Sequence, residues 1–209
     1  MEKRNLERLI ANGYDFDIAQ AIQNGWELFT RKPTFSIGFA GFFVSSQLLA
    51  MIYLQNYATI YNFLLTGPLV SGFYLVANKI KSNEEITYAD FFKGFEYYVP
   101  IILIWGVGQL LVFLGFVALI IPGIYLMVAY NFSVLISVFT GFNFWDSLEY
   151  SRKIITVRWW KFFILSLLLI VMNIVGGLLV LGLLVSFPLT FYITYCVFEE
   201  ITSEVLQEA

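Results

Sequence analysis

Residues 97–145, YYVPIILIWGVGQLLVFLGFVALIIPGIYLMVAYNFSVLISVFTGFNFW, run for 49 positions without one charged side chain. A helix needs about 20 apolar residues to cross a hydrocarbon core of roughly 30 Å, so this stretch is too long for one crossing and long enough for two. Pro122-Gly123 supplies a turn with almost no loop. To either side the pattern continues. The 12 basic and 15 acidic side chains all fall within 2–32, 79–96, 146–161 and 199–208, leaving further uncharged runs of 46 residues (33–78) and 37 residues (162–198). Each run predicts a helical hairpin. The chain therefore reads as an all-α polytopic membrane protein with six transmembrane helices in three hairpins. Composition agrees: 59% of the 209 residues are hydrophobic and 13% charged, with a mean hydropathy of +0.77, outside the range of soluble domains.

Six crossings put both termini and the two long charged loops on one side, which then carries every Lys and Arg. The positive-inside rule makes that side cytoplasmic, and the expected location is a bacterial cytoplasmic membrane. The net charge of −3 does not alter this, because acidic residues contribute little to orientation. Residues 1–32 carry ten charges and no central apolar stretch, so no cleavable signal peptide is expected and the first membrane helix acts as the insertion signal.

One domain covers 1–209. It divides into a cytoplasmic tail with a surface helix (1–33), hairpin 1 (34–80), surface helix 2 (81–98), hairpin 2 (99–141), surface helix 3 (142–158), hairpin 3 (159–200) and a second cytoplasmic tail (201–209). Each hairpin is thus preceded by an amphipathic element on the cytoplasmic side. In the first, Ile18, Ile22, Trp26 and Phe29 share a helical face opposite Asp17, Gln20, Asn24 and Glu27. In the second, Thr87 caps a short helix with Asp90 three residues on; Tyr88, Phe91, Phe92, Phe95 and Tyr98 form one side, while Asp90, Lys93 and Glu96 face water. In the third, Asn143 caps a helix that puts Trp145, Leu148 and Ile155 together, with Glu149 and Lys153 an i, i+4 pair. Gly176, Gly177 and Gly182 are the expected breakers of hairpin 3, and Pro188 a kink in its second helix. A quasi-symmetric bundle of the three units is expected.

Several stretches resemble a known group. Ile121-Pro-Gly-Ile-Tyr through Val134, Trp145-Asp-Ser-Leu-Glu-Tyr-Ser151 and Trp159-Trp160-Lys-Phe-Phe163 are similar to the Pro-Gly turn, serine-bearing surface helix and aromatic re-entry of a bacterial family. Gly67-Pro68 and Gly72, ahead of Asp90-Phe91-Phe92, match it as well. The family is that of bacterial six-helix integral membrane proteins of unknown function related to the membrane domain of glycerophosphodiester phosphodiesterases. Phosphodiesterase activity there belongs to a separate soluble domain, so the resemblance carries over no catalytic residue. It implies a membrane-resident accessory or lipid-associated role.

Little in the residues suggests chemistry. There is no His, so no zinc site is expected, nor any other metal, cofactor or catalytic group. Asp146, Glu149, Arg152 and Lys153 spread round a surface helix, where ion pairs are ordinary. Cys196 reads as a small core residue. No charged residue lies inside the membrane runs, which argues against proton-coupled transport. The polar groups that remain there are neutral. Of these, Gln109, Asn131, Gln47 and Asn173 are the candidate ligand-binding residues; helix-to-helix hydrogen bonding is the alternative for each. Gln109 and Asn131, if they face each other across hairpin 2, form a site for a lipid head group or small solute. Trp26, Trp145, Trp159 and Trp160 are expected at the membrane interface, and the 22 Phe and 13 Tyr serve mainly as anchors there. Gly41 with Ser45 and Gly67 with Ser71 are expected to admit close helix packing within the chain.

The functional expectation is a non-enzymatic membrane protein that binds lipid or supports membrane organisation, with membrane lipids as partners. A role as accessory subunit, contacting another membrane or cytoplasmic protein, is the alternative, and a passive transporter or channel the second. No nucleic-acid partner is expected.

Overall fold

The computed structural model describes residues 3–179 and 181–207, and among them every regular element is helical. A helix the sequence reading did not single out opens the chain: α1 (Lys3–Asn12) seats Asn5, Leu6 and Leu9. Asp17 then caps α2 (Ile18–Arg31), its carboxylate accepting from the N–H groups of Ala19 at 2.7 Å and Gln20 at 3.0 Å. Pro33 opens α3 (Pro33–Leu54), where a missing N–H costs nothing. A one-turn 3₁₀ segment, Gln55–Tyr57, leads into α4 (Ala58–Lys81). The 3₁₀ helix Tyr88–Tyr97 precedes α5 (Tyr98–Ala118). Then follow α6 (Ile120–Ala129), α7 (Ser133–Thr140), α8 (Phe144–Val157), α9 (Trp159–Leu178) and α10 (Leu183–Gln207).

Five helical stretches are long and apolar enough to cross a membrane: Pro33–Lys81, Tyr88–Ala118, Ile120–Thr140, Trp159–Leu178 and Leu183–Ser203. The first holds two packed helices, α3 and α4. Long outer faces such as Leu110, Phe113, Leu114 and Val117 on α5 are exposed and apolar, as a membrane-embedded fold requires and a water-soluble one avoids.

Several local expectations change. The turn of the second uncharged run falls at Leu119, whose extended backbone separates α5 from α6. Pro122 sits in the first turn of α6, where no helical hydrogen bond is lost. A Cβ on Gly115 would lie 3.0 Å from the Gly123 backbone and one on Gly123 2.4 Å from the Phe116 ring, so both serve the close antiparallel approach instead. The return helix is also interrupted, at residues 130–132. Asp90 does not face water: it is 4% exposed, because its carboxylate folds back to accept from the Thr87 N–H (2.8 Å) and hydroxyl (3.0 Å) and pairs with Lys79 and Lys93 at 2.9 and 2.8 Å. Tyr88 and Phe92 are exposed while Phe91 is fully buried together with Gly94, two residues three apart that a 3₁₀ helix brings to one side while Phe92 turns away.

The buried face of α2 is Ala21, Gly25, Leu28 and Phe29, with Trp26 turned outward. Gly25 decides this rotation. A Cβ there would lie 2.9 Å from the Ile193 backbone of α10, so the glycine edge must meet that helix. On α8 the buried face is Ser147, Leu148, Ser151, Ile154 and Ile155, again leaving its tryptophan, Trp145, outside. Gly41 meets nothing within 4 Å and Ser45 is exposed, so that pair makes no internal contact; Gly67 packs on Ile101 and Trp105 of α5. Some of the aromatics pack inside the bundle. Phe39, Phe73, Phe91, Phe132 and Phe162 are buried, with Phe39 stacked on Phe91 at 4.4 Å and Phe73 on Phe191 at 5.2 Å, because large rings fill the gaps between helices that glycines draw together.

The three units contribute unequally. α10 touches α1, α2, α3, α4 and α9, and 56% of its apolar window is buried, against 22% for α9 and 17% for Tyr88–Ala118. It is the central post of the bundle. The 3₁₀ helix is pressed onto α4 backbone to backbone: a Cβ on Gly72 would fall 1.9 Å from the Phe91 carbonyl oxygen, and one on Gly94 2.1 Å from that of Pro68. The charged clusters meet through Lys3–Asp146 (2.7 Å), Lys161–Asp15 (2.6 Å) and a Lys81–Glu199 pair.

Candidate functional site: a neutral polar cleft at a broken helix

The interruption between α6 and α7 starts the site. Tyr130 N–H still bonds Leu126, but the next three N–H groups leave the α-helical pattern, that of Asn131 reaching back three residues to Val128 and that of Ser133 to Tyr130. Backbone freed in this way inside an apolar bundle needs other partners. Ser151 of α8 supplies them: its hydroxyl accepts the Phe132 N–H at 3.1 Å and donates to the Ala129 carbonyl at 2.7 Å. The Ser133 hydroxyl closes the Tyr130 carbonyl at 2.6 Å. With its backbone satisfied, the break can present Asn131 outward from the helix axis.

Asn131 stands where two clefts adjoin. The larger, about 510 Å³, runs between α9 and α10 and takes its polar groups from Asn131, Ser166, Asn173, Thr190 and Thr194. The smaller, about 310 Å³, lies against α5 and adds Gln109, Trp105, Tyr130 and Ser133. Tyr74, Met127, Asn131 and Phe191 line both. These volumes lie in or near the range of roughly 300–1,000 Å³ usual for small-molecule sites. No lining residue of either cleft is charged.

Part of this polarity is already spent on the fold. The Asn131 amide donates to the Ser166 hydroxyl at 2.9 Å. Asn173 donates to the Thr190 hydroxyl at 2.6 Å and to the Leu169 carbonyl at 2.9 Å, while accepting from Ser186 at 3.3 Å. Gln109 is exposed, and it and the Tyr74 hydroxyl bond to no described residue.

Among the candidate residues, then, Gln109 and Asn131 line the smaller cleft and Asn131 and Asn173 the larger. Gln47 lies apart on α3, its amide nitrogen buried and unpartnered among the described residues. Trp26, Trp145 and Trp160 are exposed. Trp159 is half-buried, stacks on Phe163 at 5.1 Å and donates to the Tyr125 carbonyl at 3.4 Å. Ser166, Thr190 and Tyr74 were not singled out, and Ser151 entered only as the end of a resembling stretch. Isolated hydroxyls in apolar runs carry no spacing signal; only the folded chain groups them.

The charged groups of α8 form ion pairs. Glu149 accepts from Arg152 at 2.7 and 2.9 Å and lies 3.5 Å from Lys153. Hydrogen bonds from Arg152, with the charge of both cations, hold its carboxyl below the usual range. Among the described residues no group of three or more Cys, Asp or Glu could hold a metal ion.

Comparison with protein-family models, curated proteins and solved structures finds no match. The functional reading therefore rests on the cleft.

Proposed function

We propose that this chain is a six-crossing protein of the bacterial cytoplasmic membrane, both termini cytoplasmic, that holds a membrane lipid in the joined clefts and catalyses no reaction. The observation behind this reading is the convergence of Gln109, Asn131 and Asn173, from α5, the helix break and α9, on cavities with otherwise mainly apolar walls. Polar groups inside a bundle mark either helix association or a binding path, and Gln109 bonds to no partner among the described residues. A lipid-associated role is also what the motif resemblance implies.

Native mass spectrometry of the protein released gently from its own membrane tests the proposal. A lipid-sized mass should be retained, and it should be lost when Gln109→Leu and Asn131→Leu are combined. A bare chain would refute the reading; a stoichiometric protein in place of the lipid would make this an accessory subunit.

A further inference from the structure

We propose that the ligand of the joined clefts is a lipid with an uncharged, hydroxyl-bearing head, of the diacylglycerol class, and that the Tyr74 hydroxyl is its principal hydrogen-bond donor. The inference rests on the lipid-binding reading above and narrows it.

Charge excludes most lipid heads. A phosphate or ammonium drawn between these walls would lose its water and find only neutral dipoles: amides, hydroxyls and an indole N–H. Burying a charge without a counter-charge is far costlier than burying a hydroxyl or ester that finds a partner. Arg152, one turn along α8 from the lining Leu148, is already committed to Glu149 through two hydrogen bonds. The clefts thus select against ionic heads.

The mouth gives the second argument. Met127, Ile170 and Ile174 rim the larger cleft and are themselves exposed on the outside of the bundle. A ligand entering past them comes from hydrocarbon, not from water, so a membrane-dissolved molecule fits and a water-soluble polyol does not.

Tyr74 supplies the third. Its residue is 7% exposed and its ring is fixed edge-on against Phe191 at 5.4 Å. Its hydroxyl donates to no described residue, yet Tyr74 lines both clefts. The hydroxyl therefore opens on the clefts with its proton unspent. An ester carbonyl is a suitable acceptor there, and the free Gln109 amide, which both donates and accepts, suits a free hydroxyl.

Short-chain diacylglycerol and phosphatidylglycerol with the same acyl chains, offered in competition to the full-length protein in detergent and read by native mass spectrometry, decide the matter. Diacylglycerol should be retained at least about tenfold better, and Tyr74→Phe should reduce its retention about tenfold, the loss of one buried hydrogen bond, while leaving the melting temperature unchanged. Equal retention of the two lipids, a preference for phosphatidylglycerol, or indifference to Tyr74→Phe would overturn the inference and leave a lipid cleft standing. Retention of neither lipid would overturn both.

Discussion

The Ser151 hydroxyl accepts the Phe132 N–H at 3.1 Å and, through its own proton, ties down the Ala129 carbonyl. One side chain from α8 thereby replaces the helical bonds lost between α6 and α7. Ser151→Ala should leave a donor and an acceptor unsatisfied in the core and destabilise the protein by about 1–3 kcal/mol. Thermal unfolding in detergent measures it; an unchanged melting temperature would mean the break is held by other contacts.

Gly72 and Gly94 carry the contact between α4 and the 3₁₀ helix. Gly72→Ala would put a methyl group 1.9 Å from a carbonyl oxygen, and neither backbone can retreat without separating the elements. A loss of about 1–3 kcal/mol or more is expected, visible as a reduced monodisperse fraction on size exclusion. Gly41→Ala, with nothing within 4 Å, is the matched control and should behave as the parent.

Asp90 holds the start of the same 3₁₀ helix to Thr87 while pairing with Lys79 and Lys93. Asp90→Ala should cost about 1–2 kcal/mol through the lost cap and free the segment to fray. Limited trypsin digestion should then cut faster after Lys93. Equal rates in parent and variant would show that the glycine contacts alone hold the segment.

Glu149 gives a pH dependence with a definite sign. Arg152 lowers its carboxyl pKa in the folded protein, so its contribution is complete above the ordinary carboxylate value of about 4.3 and fades as acid titrates the lowered group. The difference in melting temperature between parent and Glu149→Gln should therefore stay level from neutral pH down to about pH 4.3 and shrink below it. The pair is partly exposed, so the difference should be small and reduced by salt. A gap that widens in acid would contradict the assignment.

Much of the architecture is visible in where the charges stop. The uncharged runs mark the apolar helices because an ionic group in hydrocarbon is costly wherever it sits, and the tails of α3 and α4 fall within a few residues of the expected limits. The helix break is different. Residues 130–132 contain neither Gly nor Pro, and what sustains their conformation is a serine about twenty positions later, a contact no local pattern announces. The same holds for the clefts: Gln109 and Asn131 stand out as amides in apolar surroundings, whereas Tyr74 looks like one aromatic among 13 tyrosines until its ring is seen wedged beside Phe191. The outward turn of Trp26 was hidden for a related reason, since apolar periodicity counts side chains and overlooks Gly25, whose missing side chain lets α10 in.

That α10 is the post of the bundle has a consequence for biogenesis. It leaves the ribosome after every other helix described, yet α2, among the first, has its glycine edge shaped for Ile193 of α10. During synthesis the earlier helices must wait in the bilayer with their central faces open, and α2 has no seat until α10 has emerged. A membrane insertase or chaperone that shields those faces would act in this interval, and a stalled chain ending before residue 183 should be the species it retains.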